Sequence, residues 1–218
     1  MKKIKPSFKI QKLSLAIRLG NLRVLKKLAE KNGDLIKKEL SRGSYMRLSV
    51  AKGYLNIIKY LVENFDIEIK FKSSGLSPLQ LASYNGHLSI VKYLIEKHNF
   101  DPNVQTNHFE KPLAIASNRG YLNIVKYLTN EAGADISICA PDGATILHDA
   151  AYNGHLDIVK YLIEEKKFEV DSVDDMLCTP LHKAAMVGQL KVAKYLIKKG
   201  ADIKKLKIKE QKFLKRHI

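Results

Sequence analysis

The chain contains no tryptophan and only two cysteines, Cys139 and Cys178. Two unclustered cysteines cannot build a disulfide framework or a structural zinc site, so a reducing compartment with buried or half-buried thiols is the expectation. No Asn-x-Ser/Thr acceptor occurs, in keeping with a cytoplasmic or nuclear protein. No apolar run approaches the length that spans a bilayer. The start, Met1 to Pro6, is basic in the manner of a secretion signal, but the apolar stretch Leu13 to Leu19 is broken by Ser14 and Arg18 and no small-residue cleavage site follows. Glycine patterns that cradle phosphate are absent and no nucleophile–base pair stands out, so neither an enzyme nor a cofactor is expected. Arginine is scarce, six of 38 basic residues, and lysine lacks the planar fork suited to phosphate or base recognition. Stacking aromatics interleaved with the basic residues are missing too, which argues against specific nucleic-acid binding.

The formal charge of +16 points to an anionic partner until it is divided along the chain. Residues 1–40 hold 12 Lys/Arg against 3 Asp/Glu, residues 203–218 hold 7 against 1, and residues 41–202 hold 19 against 18. The excess therefore lies at the two ends, where an array of stacked units needs a polar outer face.

Repetition is what the chain has most of. The stretch Asn153-Gly154-His155-Leu156-Asp157-Ile158-Val159-Lys160-Tyr161-Leu162-Ile163 has near-copies from Gly53, Gly86, Gly120 and Gly188 and a degenerate one from Gly20. The spacings are 33, 33, 34, 34 and 34 residues. Such a period marks stacked supersecondary units, none of which can bury its apolar face alone. Upstream of the glycines, Ser77-Pro78, Lys111-Pro112, Thr145-Ile146 and Thr179-Pro180 open a first helix, with a hydroxyl cap and Pro at the first helical position in the clearest copies. Leu181, Ala184 and Ala185 face one side of that helix. Glycine ends it, and a second helix from Leu156 to about Glu164 sets Leu156, Val159, Leu162 and Ile163 on one stripe.

The segments Thr179-Pro180-Leu181-His182-Lys183-Ala184-Ala185 and Thr145-Ile146-Leu147-His148-Asp149-Ala150-Ala151, with weaker copies from Ser77 and Lys111, resemble the Thr-Pro-Leu-His-x-Ala-Ala signature of ankyrin repeats. The resemblance covers about residues 7–206 and implies an all-α fold, an ankyrin-repeat α-solenoid of helical hairpins with projecting β-hairpin fingers. The fingers would lie at Phe71–Gly75, Gln105–Phe109, Ala140–Gly143 and Asp174–Leu177, where Ser-Gly and Asp-Gly pairs read as tight turns. The reading divides the chain into a basic tail (1–6), six repeats (7–38, 39–71, 72–105, 106–139, 140–173 and 174–206) and a basic capping segment or tail (207–218). Repeat one, which has lost Pro and His, is the N-terminal cap. Ile203, Leu206, Phe213, Leu214 and Ile218 recur among lysines as in a short amphipathic helix over the last repeat.

Columns that do not vary between repeats are assigned to packing: the tyrosines 60, 93, 127, 161 and 195, and the histidines. His148 and His182 are read as bonding their own turns, as are His87 and His155. Stacked helical layers lie about 8–10 Å apart, too far for one zinc to be shared. Binding is assigned to positions that vary. In ankyrin proteins these are finger tips and the ends of the first helices, which line a concave face. Here they are Ser73, Ser74, Leu76, Tyr84 and Asn85; Asn107, His108, Glu110, Asn118 and Arg119; Asp142, Tyr152 and Asn153; Asp175, Met176 and Met186. Tyr84 and Tyr152 are the expected anchors.

The function implied is non-catalytic protein–protein interaction, a monomeric scaffold or adaptor holding one protein partner. Richness in Lys, Ile and Asn suggests an AT-rich genome and admits a microbial or viral effector acting in host cytoplasm. The alternative is a binder of an anionic surface, nucleic acid or acidic lipid, through the basic ends.

Overall fold

Each repeat folds as two helices joined across its glycine. The computed structural model describes residues 8–40, 44–69, 71, 75–105, 111–137 and 140–205. The first helices of successive hairpins are α1 (Phe8–Arg18), α3 (Ser44–Lys52), α5 (Pro78–Tyr84), α7 (Pro112–Arg119), α9 (Ile146–Tyr152) and α11 (Pro180–Met186). Their partners are α2 (Leu22–Leu40), α4 (Leu55–Phe65), α6 (Leu88–His98), α8 (Leu122–Asn130), α10 (Leu156–Glu164) and α12 (Leu190–Lys198), followed by a 3₁₀ turn at Ile203–Lys205. Among the described residues there is no strand beyond a single bridge residue, Thr145. The chain divides into two compact units, Met1–Asn99 and Phe100–Ile218. In the first, α1 packs on α2 and α3, and α3 on α4 and α5; in the second, α9 packs on α7, α10 and α11, and α11 on α12.

The short first helices start where the sequence expects. Ser77 caps α5 in a reciprocal box with Gln80, and Thr179 caps α11 with His182. Their buried faces are small or aliphatic: Leu181 and Ala184 are fully buried, and so are Leu147 and Ala150 one layer below. Small side chains let neighbouring helices approach closely, and each fully buried Leu or Ile contributes about 2 kcal/mol. The second helices bury a stripe turned from the expected one. Ile158, Val159, Tyr161 and Leu162 of α10 are buried, whereas Leu156 and Ile163 are only half-buried. The stripe turns because α10 meets α8, α9 and α12, so its buried arc extends past a single face.

At four of the turn glycines the residue that follows joins its layer to the layer before it. The Tyr54 hydroxyl donates to the Arg18 carbonyl (3.3 Å), His87 Nε2 to that of Ala51 (3.0 Å), His155 Nε2 to that of Asn118 (2.8 Å) and Gln189 Nε2 to that of Tyr152 (3.2 Å). Each acceptor lies in the last turn of a first helix, or just past it, where carbonyls have no partner within the helix. His87 and His155 thus bond the preceding repeat, which corrects the expectation that they bond their own turns. The same side chains lie flat on the preceding glycines: a Cβ at Gly120 would sit 2.6 Å from the His155 ring, and one at Gly53 would sit 2.8 Å from that of His87.

Lysine and tyrosine columns interleave along the second helices. Within the first unit, the Lys26 ammonium lies 5.4 Å from the centroid of Tyr60, and that of Lys59 5.4 Å from Tyr93. Within the second, Lys126 lies 4.9 Å from Tyr161, and Lys160 6.0 Å from Tyr195. These four tyrosines therefore make cation–π contacts within each unit as well as packing. The Tyr161 hydroxyl adds bonds to Thr129 Oγ1 (2.6 Å) and Asn130 Oδ1 (3.0 Å).

Candidate partner-binding surface

The histidines that recur in the Thr-x-Leu-His segments hold the frame on which the surface is built. His148 Nδ1 accepts from the Thr145 amide (3.1 Å), so the ring carries its proton on Nε2, which donates to the carbonyls of Ser172 (3.1 Å) and Cys178 (3.0 Å). His182 repeats this with the Thr179 amide (3.1 Å) and the Lys205 carbonyl (2.8 Å). The own-turn bonds are as expected; the Nε2 bonds into the following segment are additional. Burial pushes the His148 pKa below the ordinary histidine value, although the Cys178 carbonyl and the Asp174 charge act the other way.

Two loops beside these histidines are closed by backbone bonds. The Ala140 amide donates to the Ala144 carbonyl (2.8 Å) and that of Gly143 to Ala140 (2.8 Å). In the following loop the Asp174 amide donates to the Cys178 carbonyl (3.1 Å), and the Asp175 amide reaches across to Asp142 (2.9 Å). Asp174 organises the second loop. Its Oδ1 accepts from the amides of Met176 (3.0 Å) and Cys178 (2.8 Å), while its Oδ2 pairs with the Lys183 ammonium at 2.6 Å. Burial alone would raise the Asp174 carboxyl, but Lys183 and the two amides outweigh it and hold it below the usual carboxylate value. Lys183, bonded to Asp174, is raised in turn.

With Asp174 turned inward, its neighbours in the loop are outside. Met176 is 75% exposed and Leu177 74%. Leu177 adopts φ of 57°, the left-handed region, at the position occupied by Gly143 in the loop before. At the ends of the first helices Tyr152 (42%) and Met186 (60%) are exposed, as is Tyr84 (40%) in the first unit. Asp142, Tyr152 and Met186 are brought together around a cleft of about 210 Å³, whose remaining walls include Asp149, His148 and Lys183.

Other expected binding residues are placed differently. Ser73, Ser74, Asn107, His108 and Glu110 lie outside the described residues, as do residues 206–218 with their expected helix. Leu76 is half-buried, and its carbonyl accepts from Arg47 at 3.4 Å. The amides of Asn85 and Asn153 cap their own helices, donating to the carbonyls of Leu81 (2.8 Å) and Asp149 (2.9 Å). Asn118 and Arg119 are exposed. Asp149, Lys183 and Leu177 were not in the expected set. A comparison of Leu177 with Gly143 in the aligned repeats carries the signal for the last of these. In the first unit a larger hollow of about 450 Å³ is lined by Ile10, Gln11, Ser14, Leu15, Arg18 and Tyr45, with Leu15 55% exposed.

The hairpin period, the Thr–His caps and the glycine turns coincide with a family model: that for ankyrin repeats (3 copies) matches residues 13–106 and 113–207. The chain belongs to the ankyrin-repeat family. No curated protein matches it. Ankyrin repeats indicate a protein–protein interaction scaffold, and proteins of the family are generally non-catalytic interaction modules. Among the described residues of this ankyrin-repeat protein, no helix is long and apolar enough to cross a membrane.

Proposed function

We propose that this ankyrin-repeat protein is an adaptor that holds one protein partner on the ends of its first helices and the tips of its loops, acting in the cytoplasm or nucleus, or in host cytoplasm as an effector. The observation that carries the reading is the grouping of exposed Tyr152 and Met186 around a cleft on rigid short helices, with Met176 on the loop beyond. Aromatic and thioether side chains on a preorganised surface are typical anchors, because little entropy is lost when they are covered. Tyr84 is the corresponding anchor of the first unit. The remaining exposed positions, Asn118, Arg119, Asp142 and Asp175, supply the polar rim.

A pull-down at low salt and at about 0.5 M salt separates this from the anionic-surface reading. Partner capture is expected to survive high salt, to persist when residues 207–218 are deleted, and to be lost on Tyr84→Ala with Tyr152→Ala. Capture that vanishes with salt and with the deletion, yet tolerates the tyrosine changes, would favour the basic ends instead.

A further inference from the structure

Charge in the first unit is segregated between its two sets of helices. Residues 1–99 hold 20 Lys/Arg against 7 Asp/Glu. All seven acidic residues lie in or just after second helices: Glu30, Asp34 and Glu39 in α2, Glu63 in α4, Asp66 and Glu68 beyond its end, and Glu96 in α6. The first helices α1, α3 and α5 hold Lys9, Lys12, Arg18, Arg47 and Lys52 and no carboxylate. Burial and then the Glu30 charge raise the Tyr60 pKa, and burial and then the Glu63 charge raise that of Tyr93, so both carboxylates act beside the tyrosines of the second helices. Glu39 is buried and has a partner of its own.

The hollow on α1 and the start of α3 therefore faces an incoming group with positive charge only. Its volume, about 450 Å³, falls within the range of about 300–1,000 Å³ usual for ligand sites. Ile10, Leu15 and Tyr45 give it apolar walls, and Arg18 is the charged residue that lines it. Arg18 is exposed, and its guanidinium has no partner among the described residues, since the bond from Tyr54 goes to its backbone carbonyl. Lys12 and Gln11 have partners of their own, and Arg47 donates to the Leu76 carbonyl and covers Phe71. The free cation at the hollow is thus Arg18. Beside it the Leu19 amide donates to the Leu15 carbonyl (3.0 Å), which sets those two exposed leucines one turn apart on the same side.

Each class of occupant meets these groups differently. A lysine or arginine would meet Arg18 with no carboxylate to balance it. A purely aliphatic segment would cover the leucines but strip water from the guanidinium without compensation. Nucleic acid, whose outer face is phosphate and sugar, would leave the leucines uncovered. A flat bilayer surface would not reach the walls of a recess. A carboxylate matches the guanidinium fork in two parallel bonds, and an apolar side chain beside it fills the hollow.

We propose that this hollow receives an acidic, apolar segment of the partner, with an aliphatic or aromatic side chain seated against Ile10 and Leu15 and an Asp or Glu carboxylate, about one helical turn away, held by Arg18. The assignment rests on the docking reading above and gives the partner its chemistry.

The test selects short random peptides displayed on phage against the full chain at about 0.3 M salt, where diffuse attraction to a basic protein is screened. Binding of the winners is then measured by fluorescence anisotropy. Winners should carry Asp or Glu within four residues of Leu, Ile or Phe. Affinity should fall about tenfold in Arg18→Gln and in Leu15→Ala, and clearly in Arg18→Lys, which keeps the charge but not the fork. Lys52→Gln, which removes the same charge from the exposed end of α3, should change it by less than about twofold. Thermal melting of each variant shows that the fold is retained. Basic or uncharged winners, winners indifferent to Arg18, or equal losses in Arg18→Gln and Lys52→Gln overturn the inference, and so does failure to select any peptide. Cosedimentation with phosphatidylcholine–phosphatidylserine vesicles that needs Leu15 and Arg18, in place of peptide binding, overturns it in favour of a lipid surface. Winners that ignore Arg18 but need Tyr84 or Tyr152 overturn it and leave the wider docking surface standing, which the pull-down decides on its own.

Discussion

A histidine bound at both nitrogens to neutral backbone groups has nowhere to put a second proton, and His148 ties the fold to pH in that way. Its folded pKa lies below the ordinary value, so the unfolded chain takes up the proton first as the pH falls. The contribution is complete above about pH 6.5 and declines below it, down to the lowered folded pKa. Melting temperature should therefore drop between about pH 7 and pH 5, and His148→Gln should be less stable throughout but show a shallower drop. An unchanged slope in the variant would contradict the assignment. The turn glycines make a second residue-scale prediction. Gly120 (φ 84°) and Gly133 (φ 69°) both lie in the left-handed region, but only Gly120 has a ring packed where a Cβ would go. Gly133→Ala should cost about 1 kcal/mol from strain alone, and Gly120→Ala clearly more, in chemical denaturation. Gly154→Val, against Gln189, belongs with the costly class.

Two non-glycine residues with positive φ separate strain from use. Lys167 (φ 59°) is exposed, and its ammonium only donates to the carbonyl of Glu164 in its own turn; Leu177 (φ 57°) presents an exposed apolar side chain at a loop tip. Replacing either with glycine should raise stability by about 0.5–1 kcal/mol. Lys167→Gly should leave partner capture intact, whereas Leu177→Gly should weaken it, which a pull-down alongside the melt reads directly. At this scale the sequence was legible wherever a residue acts on its own turn, as Thr179 and His182 do. It was not legible where the partner is a whole repeat away: the bonds from His87 and His155 span 36 and 37 positions. Spacing alone cannot tell a side chain that folds back from one that reaches across.

At the level of elements, the hairpins follow from the glycine period and from apolar spacing; helix starts fall at Pro78, Ile146 and Pro180 behind their Ser or Thr caps, and at Pro112 behind Lys111 with proline alone as the signal. The turned stripe of α10 and the lysine–tyrosine contacts were not readable, because both depend on how neighbouring layers register. Tyr161 is the clearest case. Its column suggested packing, and it is buried, yet its hydroxyl is bonded to Thr129 and Asn130 while Lys126 covers the ring. Tyr161→Phe should cost about 1 kcal/mol, since the two polar partners lose their bonds without any change in shape. A denaturation midpoint identical to that of the parent chain would show that the hydroxyl contributes nothing.

For the molecule as a whole, family membership was legible because one motif recurs at one period and each copy tests the others. The proposed binding surface was legible only in outline. Tyr152, Met176 and Met186 could be found as residues that vary among repeats, but the cleft joining Asp142 to Tyr152 requires loop and helix ends to be placed in space. The identity of the partner belongs to a second molecule and leaves no periodic trace in this one. The central claim is that the ends of the first helices and the loop tips, rather than the second helices or the basic ends, meet the partner. Hydroxyl-radical footprinting of the chain alone and with its captured partner tests this most directly. Oxidation of Met176, Met186 and Tyr152 should fall several-fold on binding while labelling of Tyr60 and Tyr195 on the second helices stays unchanged; protection of Tyr60 and Tyr195 with Met176 and Met186 still fully labelled would contradict the account.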